Sequence, residues 1–485
     1  MNFWNLTMQI DTQDKKFGFY KGICILFVLN LFCFNSAKLF AQHNDSLFVK
    51  EIYISGNKLT RPHVIYREIN IKKGEFVLKK ELKARLSQSE KFLFNTHLFL
   101  ADTITDSIHN NEVSIYIKVK ERIFVQFWQF QFKAADRDIN VWLRKPSLYR
   151  LTYGILPMAG NFTGQNDRLT VSAIFGWRQT YQLDYRFPYL NKDKTLGLEN
   201  IIYYQQGHEI GALTVNNQLD YLRVDQNYLY HKTGWESDLI YRKRYQVTHT
   251  LVVGFDYYNI SNTVRDTNPD YLGDNRNIIR VPRLAYKFVY DKRNYAFYAT
   301  EGDLINFSIE HDGLPVLLKD VNVTTTDLTY RKFIPLGGRF YYQGGFTSEY
   351  DFQSFLPYVF KSATSLGYRY DVTGFENYII DGRAYFITDN ELKFLVFSRL
   401  ITLPHKRILN YFNPLPANLY LKIYTQQGGA FYNPVVYNNN LENKLLNGFG
   451  FGVDFVTYYD FVMRVEYSFN NLGKSGLFFH FTEVF

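Results

Sequence analysis

The chain is expected to fold as an all-β transmembrane barrel of about sixteen antiparallel strands, preceded by a small α+β domain. Three observations predict this. The 485 residues include 40 Tyr and 44 Phe but only 4 Met and 5 Trp, while 21% are charged and mean hydropathy is −0.25. From about residue 122 onward, segments of roughly ten alternating residues recur between polar turns, which is the barrel-strand signature. Late in the chain comes a long Gly- and Tyr-rich segment, Ser365–Lys393, whose apolar side chains need something to pack against. Long loops without secondary structure are uncommon unless they are functional or disordered, and this composition is not that of a disordered segment.

A polar average with excess Tyr and Phe rules out a helical membrane protein. A soluble α/β enzyme would carry more Ala, Leu and Glu. A barrel strand shows one face to lipid and one to water, with aromatics at both interfaces. The competing class is a large soluble β-sandwich or propeller. Net charge is +9, and no Lys/Arg cluster interleaved with aromatics suggests nucleic acid.

At the start, Lys15, Lys16 and Lys21 precede an apolar run from Gly22 to Phe34, followed by 35–41. That is the layout of a secretory signal, with cleavage after Ala41, and the run is too short to span a bilayer comfortably. Residues 1–41 hold four Lys and two Asp, which leaves the mature chain at +7. Cys24 and Cys33 are the two cysteines of the chain and both lie in the leader, so the mature chain is expected to hold no disulfide.

Residues 42–121 read as a small domain. The segment 48–54 alternates as a strand and Ser55-Gly56-Asn57 turns it. Thr60 is expected to cap a short helix with Pro62 in its first turn, and Gly74 breaks it. Lys79–Phe94 carries Leu82, Leu86 and Leu93 at helical spacing. Strands near Ala101–Ser107 and Val113–Val119 close a β-α-α-β-β unit. The basic residues Lys79, Lys80, Lys83 and Arg85 read as a solvated helix face, with a partner or headgroup contact as the alternative.

Residues 122–485 supply the barrel. Candidate strands lie near 123–132, 149–158, 168–176, 179–187, 196–205, 234–243, 247–259, 278–290, 303–311, 322–333 and 339–349. After the long loop come 384–399, 417–426, 446–457, 461–469 and 476–485. Polar stretches such as 266–277 and 438–443 fit the connecting loops. In the last segment Leu477, Phe479, Phe481 and Phe485 share one face and end in an aromatic carboxylate, while Glu483 departs from that alternation.

Several of these features carry a family resemblance. The Gly56-Asn57 turn, Gly74-Glu75, Leu98-Phe99 and the closing 119–121 sit where a POTRA domain has them. One such unit before a sixteen-strand barrel with a long late loop resembles the Omp85 superfamily (BamA, TamA and relatives, the D15 surface-antigen domain), and the short layout is most similar to Bacteroidetes-type members. Asp291, Arg293 and Asn294, followed by Gly302, resemble the family's strand motif, although Ala299 stands where Pro is usual. Val372-Thr373-Gly374-Phe375-Glu376, followed by Asp381-Gly382 and 390–392, resembles its loop motif. There the family has an arginine at the position of Thr373, paired with an aspartate of an Asp-x-Gly motif on a following strand. Here that strand reads Gln426-Gln427-Gly428 with no aspartate, so both halves of the pair are missing together. Replacing both partners of a buried pair can be nearly neutral, whereas losing one costs about 3–5 kcal/mol. A neutral contact between Thr373 and a glutamine of that strand is therefore expected to hold the loop.

The final strand resembles the family's C-terminal assembly signal through Phe479, Phe481 and Phe485. The resemblance implies insertion, assembly or translocation of unfolded outer-membrane protein clients through a gated seam between first and last strands. It implies contact with outer-membrane lipid and lipopolysaccharide, with periplasmic or lipoprotein accessory subunits as further partners. No cofactor is expected. A porin-like channel or passive scaffold is the alternative. An enzyme is not expected, since no metalloprotease, nucleophile-elbow or phosphate-loop motif occurs. His311 and His405 read as lumen or loop residues, and the carboxylates of Asp381 and Glu391 as structural.

Overall fold

The protein is described here from a computed structural model, covering residues 46–122, 125–126, 130–134, 151–314, 318–353, 355–402, 415–432, 438–457 and 461–482. The expected leader, residues 1–41, with both cysteines, and His405, Glu483 and Phe485 lie outside these residues. None of the described helices is long and apolar enough to cross a membrane.

The small domain follows from two alternating patterns. In β1 (Ser46–Ser55), Leu47 and Val49 point to the core; in β4 (Glu112–Glu121), Val113, Ile115 and Ile117 do the same. These two strands pair in parallel, with β2 (Phe76–Leu78) and β3 (Phe99–His109) on either side in the order β2-β1-β4-β3. The helices Pro62–Glu68 and Lys79–Phe94 cover the sheet with Val64, Ile65, Leu82 and Leu93. Each fully buried aliphatic side chain stabilises by roughly 1.5–3 kcal/mol. Gly56 turns at φ +90°, where a Cβ would meet Val119 O at 1.9 Å.

Two expectations need correction. The unit gains a three-residue strand, Phe76–Leu78, too short to show alternation. Thr60 is not the helix cap: Arg61 occupies that position without a side-chain capping bond. Thr60 instead donates its backbone N–H to Glu121 and accepts from Asn161 Nδ2 at 2.9 Å, which fixes the domain to the barrel.

The barrel is a closed antiparallel sheet. Its first strand is described over β5 (Val125–Gln126) and β6 (Phe130–Ala134), and its second is interrupted between β7 (Leu151–Ile155) and β8 (Met158–Gly160). Then come β9 (Arg168–Gly176), β10 (Arg178–Phe187) and β11 (Leu196–Gly207). A hairpin of β12 (Glu209–Val215) and β13 (Gln218–Arg223) stands outside the wall. The wall resumes with β14 (Tyr230–Arg244), β15 (Val247–Ile260), β16 (Ile278–Asp291), β17 (Gly302–Leu314), β18 (Leu318–Gly337) and β19 (Phe340–Asp351). It ends with β20 (Ala384–Ile401), β21 (Leu415–Phe431), β22 (Leu446–Val456), β23 (Val462–Asn470) and β24 (Ser475–Thr482), and β24 returns to the first strand. With β5 and β6 counted as one strand and β7 and β8 as another, the described residues form sixteen barrel strands.

The alternation sorts by chemistry. Leu251 and Val253, Leu421 and Ile423, and Phe449 and Phe451 project from the outer surface. Their neighbours Asp256, Lys422 and Asp454 are buried inside. A cationic side chain on the outer face would cost about 2–4 kcal/mol at the bilayer midplane, so the charges line the lumen and pair there. Arg283 bridges Asp256, Glu310 and Asp312 across neighbouring strands at 3.0–3.3 Å.

The long loop differs from its expected bounds. It runs from the end of β19 to Arg383 and includes a short helix, Tyr358–Thr364. Residues 384–393, counted in the loop although also in the candidate strand 384–399, are the first half of β20, so the strand reading holds and the loop bound does not; Tyr385, Ile387 and Asp389 face inward. The β12–β13 hairpin and the helix Asn262–Thr267 fall between candidate strands, where the sequence reading assigned no element.

Candidate functional site

The loop folds back into the lumen at the end distant from the small domain. Leu366, Val372, Phe375 and Ile380 are each 1% exposed and pack with Tyr385, Ile387, Ala430 and Leu446 of the wall. An isolated bridge, Leu366 to Ile380, closes its neck. Gly382 N–H donates to Ser365 Oγ, and its carbonyl accepts from Thr364 Oγ1.

At the tip, Thr373 donates both its backbone N–H and its hydroxyl to Gln426 Oε1, each at 2.8 Å. The expected neutral contact is present, and it uses one glutamine only. Gln427 is exposed on the opposite face of β21, and its carbonyl accepts from Thr388. Gly428 is the third member of the seat, since a Cβ there would reach Val372 Cγ2 at 3.1 Å and Phe386 O at 2.3 Å. Gly374 adopts φ +83°, and its N–H donates to Glu376 Oε1 at 3.0 Å. Burial of Glu376 raises its carboxyl to about 8. Asp381 lies deep in the same loop near Lys361, and burial is the main cause that raises its carboxyl. Glu391 sits on β20 and pairs with Lys393 at 3.2 Å.

Two further partners complete the seat. Asn470 Nδ2 donates to Gly374 O at 2.6 Å. In β22 the inward positions 448, 450 and 452 are all glycine, alternating with outward Phe449 and Phe451. A Cβ on Gly448 would meet Thr373 O at 1.8 Å. The Gly-Phe alternation was readable as one smooth strand face; Asn470 carried no signal of its own. From outside, the β12–β13 turn caps the loop: Ile379 N–H donates to Asn217 O, and Asn217 N–H to Asn439 Oδ1, both at 2.8 Å.

The second motif lies at the opposite end, so the structure does not bring the two together. Asp291 ends β16 and holds Arg293 through Nε and Nη2. Asn294 Oδ1 accepts from the backbone N–H groups of 295, 300 and 301. Gly302 has φ +108°, and a Cβ there would meet Lys292 O at 2.2 Å. These residues build a turn that grips the small domain through Asn95, whose Oδ1 accepts from Ala296 N–H. The same turn sends Tyr298 into the lumen, where its hydroxyl donates to Asp454 at 2.9 Å. Asp454 belongs to an inward ion cluster in which Lys422 bridges Asp454 and Glu466, and Glu466 accepts His480 of β24 at 3.2 Å.

In β24, Leu477 is exposed, Phe479 partly so, and Phe478 is buried inward, as the alternation requires. Phe481 pairs with Met463 along the backbone. Phe485 lies outside the described residues.

Residues 47–122 match the family model "POTRA: Surface antigen variable number repeat". Residues 161–394 match the Omp85 superfamily domain. The chain belongs to the Omp85 superfamily. Its Omp85 barrel and POTRA domain place it in the outer membrane, with the POTRA domain on the periplasmic side. CdiB from Escherichia coli is similar in fold, at TM-score 0.51 and 11% identity over 90% of this chain and 75% of that one. BamA from Haemophilus ducreyi lacking POTRA domains 1–3 gives TM-score 0.48 at 15% identity over 90% of this chain and 84% of that one, and CdiB from Acinetobacter baumannii gives TM-score 0.46 at 14% identity over 90% and 73%. No curated protein matches the sequence.

Proposed function

We propose that this Omp85 protein assists insertion or translocation of unfolded outer-membrane protein clients through the seam between its first and last strands. The observation that carries the reading is the filled lumen. Loop residues at 1% exposure, seated on β21–β23 and capped by the Asn217 hairpin, occupy the space that a porin-like channel would leave to water. The porin or scaffold alternative gives that seat no purpose.

The POTRA domain offers a place for a client to arrive. Strand β3 is a sheet edge, and residues 105–109 on it are exposed. An exposed edge adds an extended segment through main-chain hydrogen bonds. Client strands would then reach the seam, where the strand edges freed when it opens template pairing and folding free energy drives the step. Accessory subunits in the periplasm would extend the same surface.

Reconstitution into lipid vesicles tests the reading. The protein is expected to accelerate membrane insertion of an unfolded outer-membrane barrel while passing little steady ion current. Steady porin-like conductance with no acceleration would sink it.

A further inference from the structure

Two buried carboxyl groups lie under the hairpin that caps the loop. Asp381, at the loop's neck, is 3% exposed, and Glu442, in the connection from β21 to β22, is 2% exposed. Both Glu442 oxygens and Asp381 Oδ1 are enclosed without a hydrogen-bond donor. A carboxylate is costly to bury unless it is paired, and such a group holds its proton instead.

The groups that face this pair come from three elements. The helix Tyr358–Thr364 brings Lys361, which attracts both carboxylates but forms an ion pair with neither, and Tyr358, whose hydroxyl meets Thr214 Oγ1 at 2.9 Å. The hairpin brings Thr214 beside Asp381 and Asn217 beside Glu442, and the loop adds Ser365 beside Asp381. The junction above them is made of neutral groups. Asn439 Nδ2 donates to Thr214 O at 2.7 Å, and Asn217 Oδ1 accepts from the backbone N–H groups of 440 and 441 at 3.0 and 3.3 Å. Two acids thus share one unpaired cation where hairpin, loop and the β21–β22 connection meet. Burial is the main cause that pushes Glu442 up to about 7, and the charge of Asp381 adds to it against the pull of its own N–H.

We propose that Asp381 and Glu442 form a proton-operated latch between the β12–β13 hairpin and the loop that fills the lumen. With Glu442 protonated the hairpin stays seated. Its ionisation puts a second negative charge into a buried site, and lifting the hairpin lets water reach both groups. In the open arrangement Glu442 ionises at its ordinary 4.5, so the closed one holds more protons between about pH 4.5 and 7. Closure is strongest below that window and weakens as pH rises through it. The latch lies at the extracellular end and stands whether or not a client inserts.

The test places spin labels on Gln218→Cys, exposed at the hairpin turn, and Leu472→Cys, exposed in the β23–β24 turn at the same end. Pulsed electron resonance on the purified full chain in detergent then reads their separation at pH 5.5 and pH 8.5. One short distance is expected at the lower pH, and the ratio of long to short separations should rise at least about tenfold at the higher, since one pKa unit is a factor of ten. Glu442→Gln should keep the short distance at both pH values, which a merely structural carboxyl would not do. Lys361→Gln should move the transition to higher pH, because the lysine favours both ionised forms. A separation independent of pH would overturn the proposal. So would a pH response that Glu442→Gln leaves intact, or one accompanied by loss of the barrel's circular dichroism.

Discussion

Thr373 and Gln426 form a two-donor, one-acceptor contact: the N–H and hydroxyl of the first both reach Oε1 of the second at 2.8 Å. Thr373 is 7% exposed, so the contact is made away from water. Gln426→Leu would strand two buried donors, each costing about 1–3 kcal/mol. Limited proteolysis should then cut the loop between 366 and 380, while Thr373→Val, which keeps the N–H bond, should cost about 1 kcal/mol. Equal protease resistance in all three proteins would show that the contact does not hold the loop.

The same pair predicts a charge-swap result. Thr373→Arg alone buries an uncompensated cation against Gln426 and should destabilise by about 3–5 kcal/mol. Adding Gln426→Asp should recover most of that loss. Melting temperatures of the two single variants and the double variant form the cycle; additive losses would show that the two positions do not meet.

Gly448→Ala places a methyl group on the Thr373 carbonyl, at 1.8 Å from its oxygen. Overpacking of this kind costs about 1–3 kcal/mol, and here it falls on the loop rather than the wall. The variant should keep its sixteen-strand barrel, read by circular dichroism, but expose the loop to protease. Gly473→Ala, where no atom lies within 4 Å but φ is +72°, separates backbone strain from this clash.

At the opposite end, Arg242 holds Glu68 through both nitrogens at 2.8 Å, and Glu68 is 1% exposed. Arg242→Ala leaves that carboxylate buried without its cation. Docking of the POTRA domain should weaken by about 3 kcal/mol at most, since Arg242 itself is a third exposed. Pulsed electron resonance between labels on the domain and the barrel should show a broadened distance distribution; an unchanged one would contradict the expectation.

His63 adds a pH dependence to that junction. Burial, then Lys194 and Arg61, lower its pKa below the ordinary value of 6.5. The docked state therefore favours the neutral ring, and the undocked state binds more protons as pH falls. Docking should be fully stable above about pH 6.5 and weaken as pH drops below it, and His63→Phe should flatten the profile. The label distances measured from pH 8 to pH 5 check this.

The barrel was legible because its alternation is long and repeated: β15 and β22 show their outward residues to any reader of the sequence. The loop motif and the Thr373–glutamine contact were legible through family likeness and through the joint loss of two charges. Which glutamine makes the contact depends on strand parity, and a one-residue choice between 426 and 427 decides the face. The loop ended ten residues early because Tyr385, Ile387 and Asp389 alternate as a strand within a stretch that also reads as loop. The Asn217 hairpin and the Asn470 contact escaped because each works through a single polar side chain set by tertiary approach. The Thr60 cap failed for the same reason: Asn161, a hundred residues away, claims its hydroxyl.

The most direct test of the gated seam is a disulfide lock between Phe479→Cys in β24 and a cysteine placed at Val125 or Gln126 in the first strand. The mature chain is expected to bring no cysteine of its own, so the lock would be the sole thiol pair. Insertion of an unfolded outer-membrane barrel is then followed with the lock oxidised and reduced. The account predicts that insertion stops when the lock is closed and returns on reduction; equal insertion in both states would contradict a seam that opens.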